Sequence, residues 1–179
     1  TYLIHLTMHK VPFLWEFHKT HHSATTMNPF TQYRIHPVEL IINNLGAILT
    51  FGLMTGVFDY LSASQISKWT FAGVNVFTLM FNFWGANLRH SHVQFKFYNF
   101  LEYIFISPVQ HQIHHSDKPE HYDKNLGSKF AVWDWIFGTL IRSKERKKLH
   151  FGLGKKDNSN YASFLQNLLN PFKNLLGYK

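Results

Sequence analysis

The chain of 179 residues contains no cysteine, and this absence excludes several kinds of chemistry. Disulfide bonds, thiolate metal ligands and a cysteine nucleophile are all impossible. Acidic residues are also scarce, with 10 Asp and Glu against 18 Lys and Arg, which gives a net charge of +8. Histidine, with 13 residues, is therefore the only abundant nitrogen ligand that the chain can offer to a metal ion.

The positive charge alone does not choose a partner, because nucleic acid and an anionic membrane surface both attract basic proteins. The densest basic run is RSKERKK, residues 142–148. A recognisable nucleic-acid-binding module does not accompany this run. We therefore expect no nucleic-acid partner and interpret the run as a solvated face that also meets anionic lipid.

Two long segments carry no charged side chain. The first covers residues 40–58, LIINNLGAILTFGLMTGVF, and the second covers 69–88, WTFAGVNVFTLMFNFWGANL. Each is long enough to cross a bilayer as a helix. The alternative is a pair of buried core helices in a soluble protein, but two such runs in so short a chain favour membrane spans.

The link between the two segments, residues 59–68, is short enough to make them a transmembrane hairpin. A hairpin returns the chain to the side that it left, so the histidine-rich parts before and after it share one side. Lys68 is the only basic residue in the link. The positive-inside rule therefore predicts that the histidine side is cytoplasmic.

Strand signals are weak throughout, and the length suits one domain, so we expect a single all-α domain over residues 1–179. Its predicted architecture is an integral-membrane helical bundle with a cytoplasmic, His-rich di-metal cap. Thr1 is no initiator residue, and TYLIHLTMH lacks the layout of a signal peptide. The chain is therefore expected to begin inside an earlier helix.

Histidines recur at spacings that place them on one face of a helix. The stretch HLTMH gives an i, i+4 pair, and HKTHH and HQIHH each give an i, i+3, i+4 triple. Neutral imidazole binds zinc, iron and copper, and eight imidazoles exceed what one tetrahedral ion needs. The economical interpretation is two metal ions, held by His5, His9, His18, His21, His22, His111, His114 and His115.

Other histidines have weaker signals. His90 and His92, in NLRHSHV, follow the second predicted span, where the hairpin returns them to the clusters. We expect His90 to be a ligand more strongly than His92. His36, in RIHPVE, precedes the first span and is a candidate for a supporting or substrate-facing group. His150 is expected to have no role at the metal site.

The order HxxxH, HxxHH, membrane hairpin and HxxHH resembles the fatty acid hydroxylase and sterol desaturase superfamily of integral-membrane di-iron oxidases. The segments RIHPVE, HSHV and HYDKNLGSKFAVWDWIFGTL are similar to its bacterial sterol-desaturase-like branch, so the resemblance covers nearly the whole chain. The family usually has further membrane helices before its first histidine box. The resemblance thus implies that this chain is truncated at its N-terminus.

The resemblance implies a lipid hydroxylase or desaturase that uses two iron ions and dioxygen, with zinc able to replace iron on overexpression. The implied partners are a lipid substrate, the membrane and an external electron donor of the cytochrome b5-like or ferredoxin type. The bacterial branch implies a bacterial inner membrane. It assigns nine ligands, His5, His9, His18, His21, His22, His90, His111, His114 and His115. It further implies supporting or substrate-side roles for His36, His92, His121, Asp123 and Asn125.

Two other functions remain open on the residues alone. A zinc-dependent membrane hydrolase needs a carboxylate base beside a ligand, as in HExxH, and neither histidine triple contains one. A non-catalytic metal-binding or transport protein would place ligands inside the membrane spans, yet both uncharged runs lack histidine.

The hairpin makes a topological prediction. A reporter tag inserted between residues 59 and 68 should lie in the opposite compartment from a tag at the C-terminus, because one span separates the two points. Compartment-specific reporters on the full-length protein provide the measurement. Both tags in one compartment would contradict the hairpin.

Overall fold

The computed structural model describes residues 1–61, 70–71, 74–75, 80, 85–144 and 149–177. Helices dominate this part of the chain and confirm the all-α class. Short 3-10 turns connect them at Pro29–Tyr33, Leu101–Tyr103, Pro119–His121 and Ser159–Tyr161. The helices are α1 Tyr2–Lys10, α2 Pro12–His22, α3 Pro37–Leu61, α4 Asn87–Arg89, α5 Pro108–His114, α6 Val132–Ile136, α7 Lys155–Asn158 and α8 Phe164–Leu175.

Helix α3 contains the first predicted span. Its 25 residues reach about 37 Å at the usual rise per residue, which is enough to cross a bilayer. Large apolar side chains along it are exposed, including Ile48, Leu49 and Leu53. Among the described residues, α3 is the one helix long and apolar enough to span a membrane. This combination is typical of a helix that faces lipid.

The second predicted span, 69–88, falls mostly on residues outside the described ranges. Within it, Thr70–Phe71 pairs with Val74–Asn75 as a short antiparallel ladder, where the sequence predicts helix. Threonine, phenylalanine and valine favour extended backbone, which accounts for this local difference. Residues 85–90 are helical or turn, and the second span stays a prediction.

Helices α1 and α2 meet at a tight corner that brings their histidines together. Val11, between them, has extended backbone with φ −92° and ψ 112°, as expected for the residue before a proline. Pro12 then occupies the first turn of α2, where its missing N–H is no loss. The corner folds α2 back on α1, so that His5 packs against His18 and His9 against His22, with ring centroids 5.0 and 4.9 Å apart.

Helix α5 carries the second histidine triple and begins at Pro108. Ser107 is its N-cap, and its hydroxyl accepts the amide hydrogen of Gln110. The Gln110 side chain in turn accepts the Ser107 amide hydrogen at 2.9 Å, which completes a capping box. Gln110 also donates to the carbonyl of Glu102. These bonds fix the start of a buried helix of only seven residues.

A turn at residues 123–127 is held by one buried carboxylate. Asp134 is 0% exposed and accepts hydrogen bonds from the amides of Leu126 and Gly127, each at 2.7 Å. Thr139 donates a third bond at 2.6 Å. Gly127 is required here because a Cβ at this position would meet the Asp134 carboxylate at 2.7 Å. The carboxylate therefore fixes the backbone of this turn.

We expect Asp134→Asn to destabilise the protein by about 2 kcal/mol, since an amide cannot accept from all three donors and leaves buried groups unpaired. Thermal unfolding of the full-length protein in detergent measures the effect. Thr139→Val removes only one of the three bonds, so a smaller loss, of about 1 kcal/mol, is expected for this control. Equal stability of Asp134→Asn and the wild type would refute this role.

Candidate metal centre

Nine histidines converge in the interior as two adjacent groups. Within each group the nearest ring nitrogens all lie within 4.8 Å of one another. Two nitrogens bound to one ion at about 2.1 Å can be no more than about 4.2 Å apart, so small side-chain shifts would suffice to bind an ion. The first group comprises His5, His9, His18, His22 and His114, and the second comprises His21, His90, His111 and His115.

The repeated HxxHH spacing divides its members between the two groups. In the triple on α2, His18 and His22 join the first group and His21 joins the second. In the triple on α5, His114 joins the first group while the other two join the second. Adjacent histidines project about 100° apart on a helix, so each HH pair supplies one imidazole to each group. The spacing is thus the pattern needed to build two neighbouring sites from two helices.

The turn at residues 123–127 supports three imidazoles of the first group. The Asp123 carboxylate lies 3.3 Å from Nδ1 of His9. The carbonyl oxygen of Lys124 is 2.8 Å from Nδ1 of His114, and that of Leu126 is 2.7 Å from Nδ1 of His5. Asp123 and Asn125 both have positive φ, 57° and 53°. This alternating backbone, which Asp and Asn tolerate best, directs all three acceptors to the same side.

A fourth imidazole of the first group is supported from the membrane helix. Glu39, in the first turn of α3, is 4% exposed, and its carboxylate lies 2.8 Å from Nδ1 of His18. In the second group, backbone carbonyl oxygens accept hydrogen bonds from the outer ring nitrogens of two imidazoles. The carbonyl of Arg34 is 3.3 Å from Nδ1 of His21, and that of Ala86 is 3.1 Å from Nδ1 of His90.

These acceptors determine which ring nitrogen carries the proton. A carbonyl can only accept a hydrogen bond, so the facing Nδ1 of a neutral imidazole must carry the hydrogen and Nε2 must bear the lone pair. Nε2 of His5 lies 3.1 Å from Nε2 of His18. Nε2 of His90 lies 3.4 Å from Nε2 of His21. Lone pairs brought this close repel each other unless a cation lies among them.

Burial favours the neutral form of eight imidazoles. It lowers the pKa of His90 to about 3, with repulsion from His21 as the next cause. Loss of hydration is also the largest cause of the lowered pKa of seven further imidazoles, and repulsion from neighbouring imidazoles lowers it further. The imidazoles with lowered pKa are His5, His18, His21, His22, His111, His114 and His115.

Several inward nitrogens have no partner among the described residues. The buried Nε2 atoms of His9, His22, His114 and His115 make no hydrogen bond. Leaving a buried polar atom unpaired costs about 1 to 3 kcal/mol, so four of them together are a substantial penalty. Binding of metal ions would remove it. The donor set, its protonation state and its unpaired atoms therefore fit two metal ions.

A cavity of about 280 Å³ lies beside both groups and against α3. Members of both groups line it, together with the apolar side chains of Ile4, Met8 and Ile35. Glu39 and Asn43 of α3 also border it. A second cavity, of about 320 Å³, borders only the first group and is lined by Trp15, Lys19 and Asp157. The cavity at α3 is thus the one that joins both groups to the membrane helix.

The remaining predicted site residues lie outside the two groups. Asn125 does not hold an imidazole, because its buried amide is used by the backbone, donating to the Gln110 carbonyl and accepting from the Ile141 amide. His36 accepts from the Val38 amide and bonds the Leu168 carbonyl. His121 pairs with Ser116 at 2.5 Å. His92 and His150 are exposed.

Glu39 is the functional candidate that the histidine pattern misses. A signal for it exists, since it is a lone charge at the very start of an apolar run, where ionisable groups are costly and usually functional. The supporting backbone carbonyls leave no trace in the sequence, because every residue has one.

Comparison with known proteins agrees with the geometry. The sequence model of the fatty acid hydroxylase family matches residues 1–139. Alkylglycerol monooxygenase of Xenopus tropicalis is 28% identical over 85% of this chain, and that of Caenorhabditis elegans is 28% identical over 92%. Ornithine lipid hydroxylase OlsE of Rhizobium tropici is 26% identical over 99%. The chain spans about 30% of the alkylglycerol monooxygenases and 50% of OlsE. No solved structure matches.

The hydrogen bond between Glu39 and Nδ1 of His18 can be tested by substitution. We expect Glu39→Ala to lower metal affinity or activity by about 10 to 100-fold, because His18 loses the acceptor that orients its ring. Glu39→Gln keeps an acceptor oxygen and should lose less. Metal titration of the full-length protein measures the effect, with the exposed Glu120→Ala as control. An unchanged affinity in Glu39→Ala would contradict this role.

The two groups also predict metal stoichiometry. The wild type should hold two ions per chain, and His21→Ala and His114→Ala should each weaken a different ion, because they remove ligands from different groups. Metal analysis of anaerobically reconstituted full-length protein checks this, with His150→Ala as the control that keeps both ions. An active wild-type enzyme with a single ion would disprove the two-metal site.

Proposed function

The chain belongs to the fatty acid hydroxylase family, and from this premise we propose that it forms the catalytic part of a membrane-bound lipid hydroxylase. The observation that carries the proposal is the pair of adjacent buried imidazole groups, whose lone pairs face inward beside a cavity that reaches the membrane helix. In this proposal the groups hold two iron ions, and dioxygen is the co-substrate.

Iron is proposed because the reaction needs a redox metal. Imidazole donors suit iron, zinc and copper alike, but zinc does not change its oxidation state. Zinc can still occupy such a site during overexpression, because nitrogen ligands generally bind zinc(II) more tightly than iron(II). When bound, two iron ions would supply the means to activate dioxygen and insert one oxygen atom into a C–H bond.

The overall reaction must balance in electrons. A C–H bond and dioxygen, with two electrons and two protons, give an alcohol and water. As the source of these electrons we propose an external one-electron donor of the cytochrome b5-like or ferredoxin type. This donor, the cytoplasmic side of the cap and a bacterial inner membrane remain part of the proposal.

The chain's own residues position the ligands and receive the substrate. Asp123 and Glu39 hold the rings of His9 and His18, so both carboxylates are engaged in orienting ligands. Ile4, Met8 and Ile35 give the cavity at α3 an apolar lining. We propose that the substrate is a lipid that enters this cavity from the bilayer and presents one methylene group to both imidazole groups.

The relatives support hydroxylation over desaturation. Two of their names state an oxygen-inserting reaction, on alkylglycerols in one case and on ornithine lipids in the other. We therefore propose that the product is an alcohol and that the substrate is a lipid with a polar headgroup. A zinc hydrolase is disfavoured because Asp123 and Glu39 bond the outer ring nitrogens of His9 and His18, so neither carboxylate is free to act as the general base.

Isotope labelling tests this function. The full-length protein is expressed in cells exposed to ¹⁸O₂, and extracted lipids are examined by mass spectrometry. We expect one labelled hydroxyl oxygen per product, because a monooxygenase takes that oxygen from dioxygen. His21→Ala and His114→Ala should abolish the product, and His150→Ala should retain it. A hydroxyl oxygen that stays unlabelled under ¹⁸O₂ would come from water and refute the proposal.

A further inference from the structure

Helix α8, Phe164–Leu175, presents an exposed apolar face. Asn167 and Asn174 bond the rest of the cap from another side of the helix, whereas Phe164, Leu165, Leu169 and Phe172 are 79%, 64%, 45% and 44% exposed. At 100° per residue these four side chains share one face of the helix. Such a face on a surface helix needs an apolar partner.

Hydrogen bonds attach the polar side of α8 to the rest of the cap. Asn167 accepts from the Arg34 guanidinium at 3.0 Å and donates to the carbonyls of Tyr161 and Ser163. Asn174 donates to Glu16 of α2 at 2.8 Å. These bonds fix the rotation of α8 about its axis. The outward direction of the apolar face is therefore set by the structure.

Helix α8 also contacts the start of α3. His36, directly before α3, bonds the Leu168 carbonyl at 3.1 Å. The Phe172 ring packs against His36 and Phe17, with centroid distances of 5.5 and 5.3 Å. Pro37, the first residue of α3, and Phe164 both line a third cavity, of about 350 Å³. The middle of α8 thus lies at the level where the chain enters the lipid-facing helix.

Exposed aromatic residues surround this same place. Phe30 and Tyr33, in the 3-10 turn before α3, are 79% and 70% exposed, and Tyr33 lines the cavity next to Phe164. Aromatic rings at the end of a span are typical of the boundary between headgroups and acyl chains. Lys173, at the border of the apolar face, is placed to meet anionic headgroups.

From these observations we propose that α8 is an interfacial helix that lies in the plane of the membrane surface, with its apolar face in the headgroup and acyl boundary. The occupant of the face is the lipid bilayer itself. Through His36, Arg34 and Asn174, the helix would fix the height of α2 and its histidine triple relative to the bilayer.

The absence of cysteine allows a direct test on the full-length protein. Leu165→Cys and Leu169→Cys are labelled with an environment-sensitive fluorophore, and Lys173→Cys serves as the control on the same helix. The labelled proteins are reconstituted in phosphatidylcholine and phosphatidylglycerol vesicles with or without a lipid-borne nitroxide quencher at the acyl boundary. Each variant is assayed for retained metal to confirm that it is folded.

We expect the lipid quencher to act roughly twofold more strongly on the labels at 165 and 169 than on the label at 173, because only the apolar face enters the bilayer. Equal access of aqueous iodide to all three labels would overturn the proposal. Blue-shifted labels that no lipid quencher reaches would show a protein segment or second copy on this face, and would also overturn it. Fluorescence quenching requires no turnover, so failure of this proposal can be distinguished from failure of the proposed hydroxylation.

Discussion

The structure depends on unprotonated imidazole nitrogens that face each other in a buried interior. Outer hydrogen bonds fix the proton of His5, His21 and His90 on Nδ1, which leaves Nε2 as a lone pair directed inward. Burial lowers their pKa, so protonation does not relieve the repulsion. A metal cation in each group would resolve the conflict, and metal binding should therefore be coupled to folding of the cap.

The same constraint connects the site to the membrane. Glu39 belongs to α3 and holds His18, so the first turn of the lipid-facing helix orients a ligand. Arg34 and His36, just before that helix, bond α8 through Asn167 and Leu168. One short segment, residues 34–39, thus links the imidazole groups, the span and the C-terminal helix. The position of the cavity between the groups and α3 follows from this arrangement.

Helical spacing is a local property, so the sequence predicts which histidines share a helix face. The pair on α1 and the triple on α2 fall on helices, and the second triple falls on α5 with His115 as its C-cap. Their division into two groups depends on how α2 and α5 face each other, which no local pattern contains. The hydrogen bonds that orient the imidazoles, from Glu39 and from the carbonyls of Lys124 and Leu126, likewise depend on tertiary contacts. The resemblance implies a supporting or substrate-side role for Asn125, whose side-chain amide bonds the Gln110 carbonyl and the Ile141 amide.

The two imidazole groups should hold one metal ion each at the same time. A crystal structure of the full-length protein reconstituted anaerobically with iron, with anomalous scattering measured at the iron edge, would locate these ions. We predict two anomalous peaks, one enclosed by His5, His9, His18, His22 and His114 and one by His21, His90, His111 and His115. A single peak, or peaks outside these imidazoles, would rule out one ion in each group.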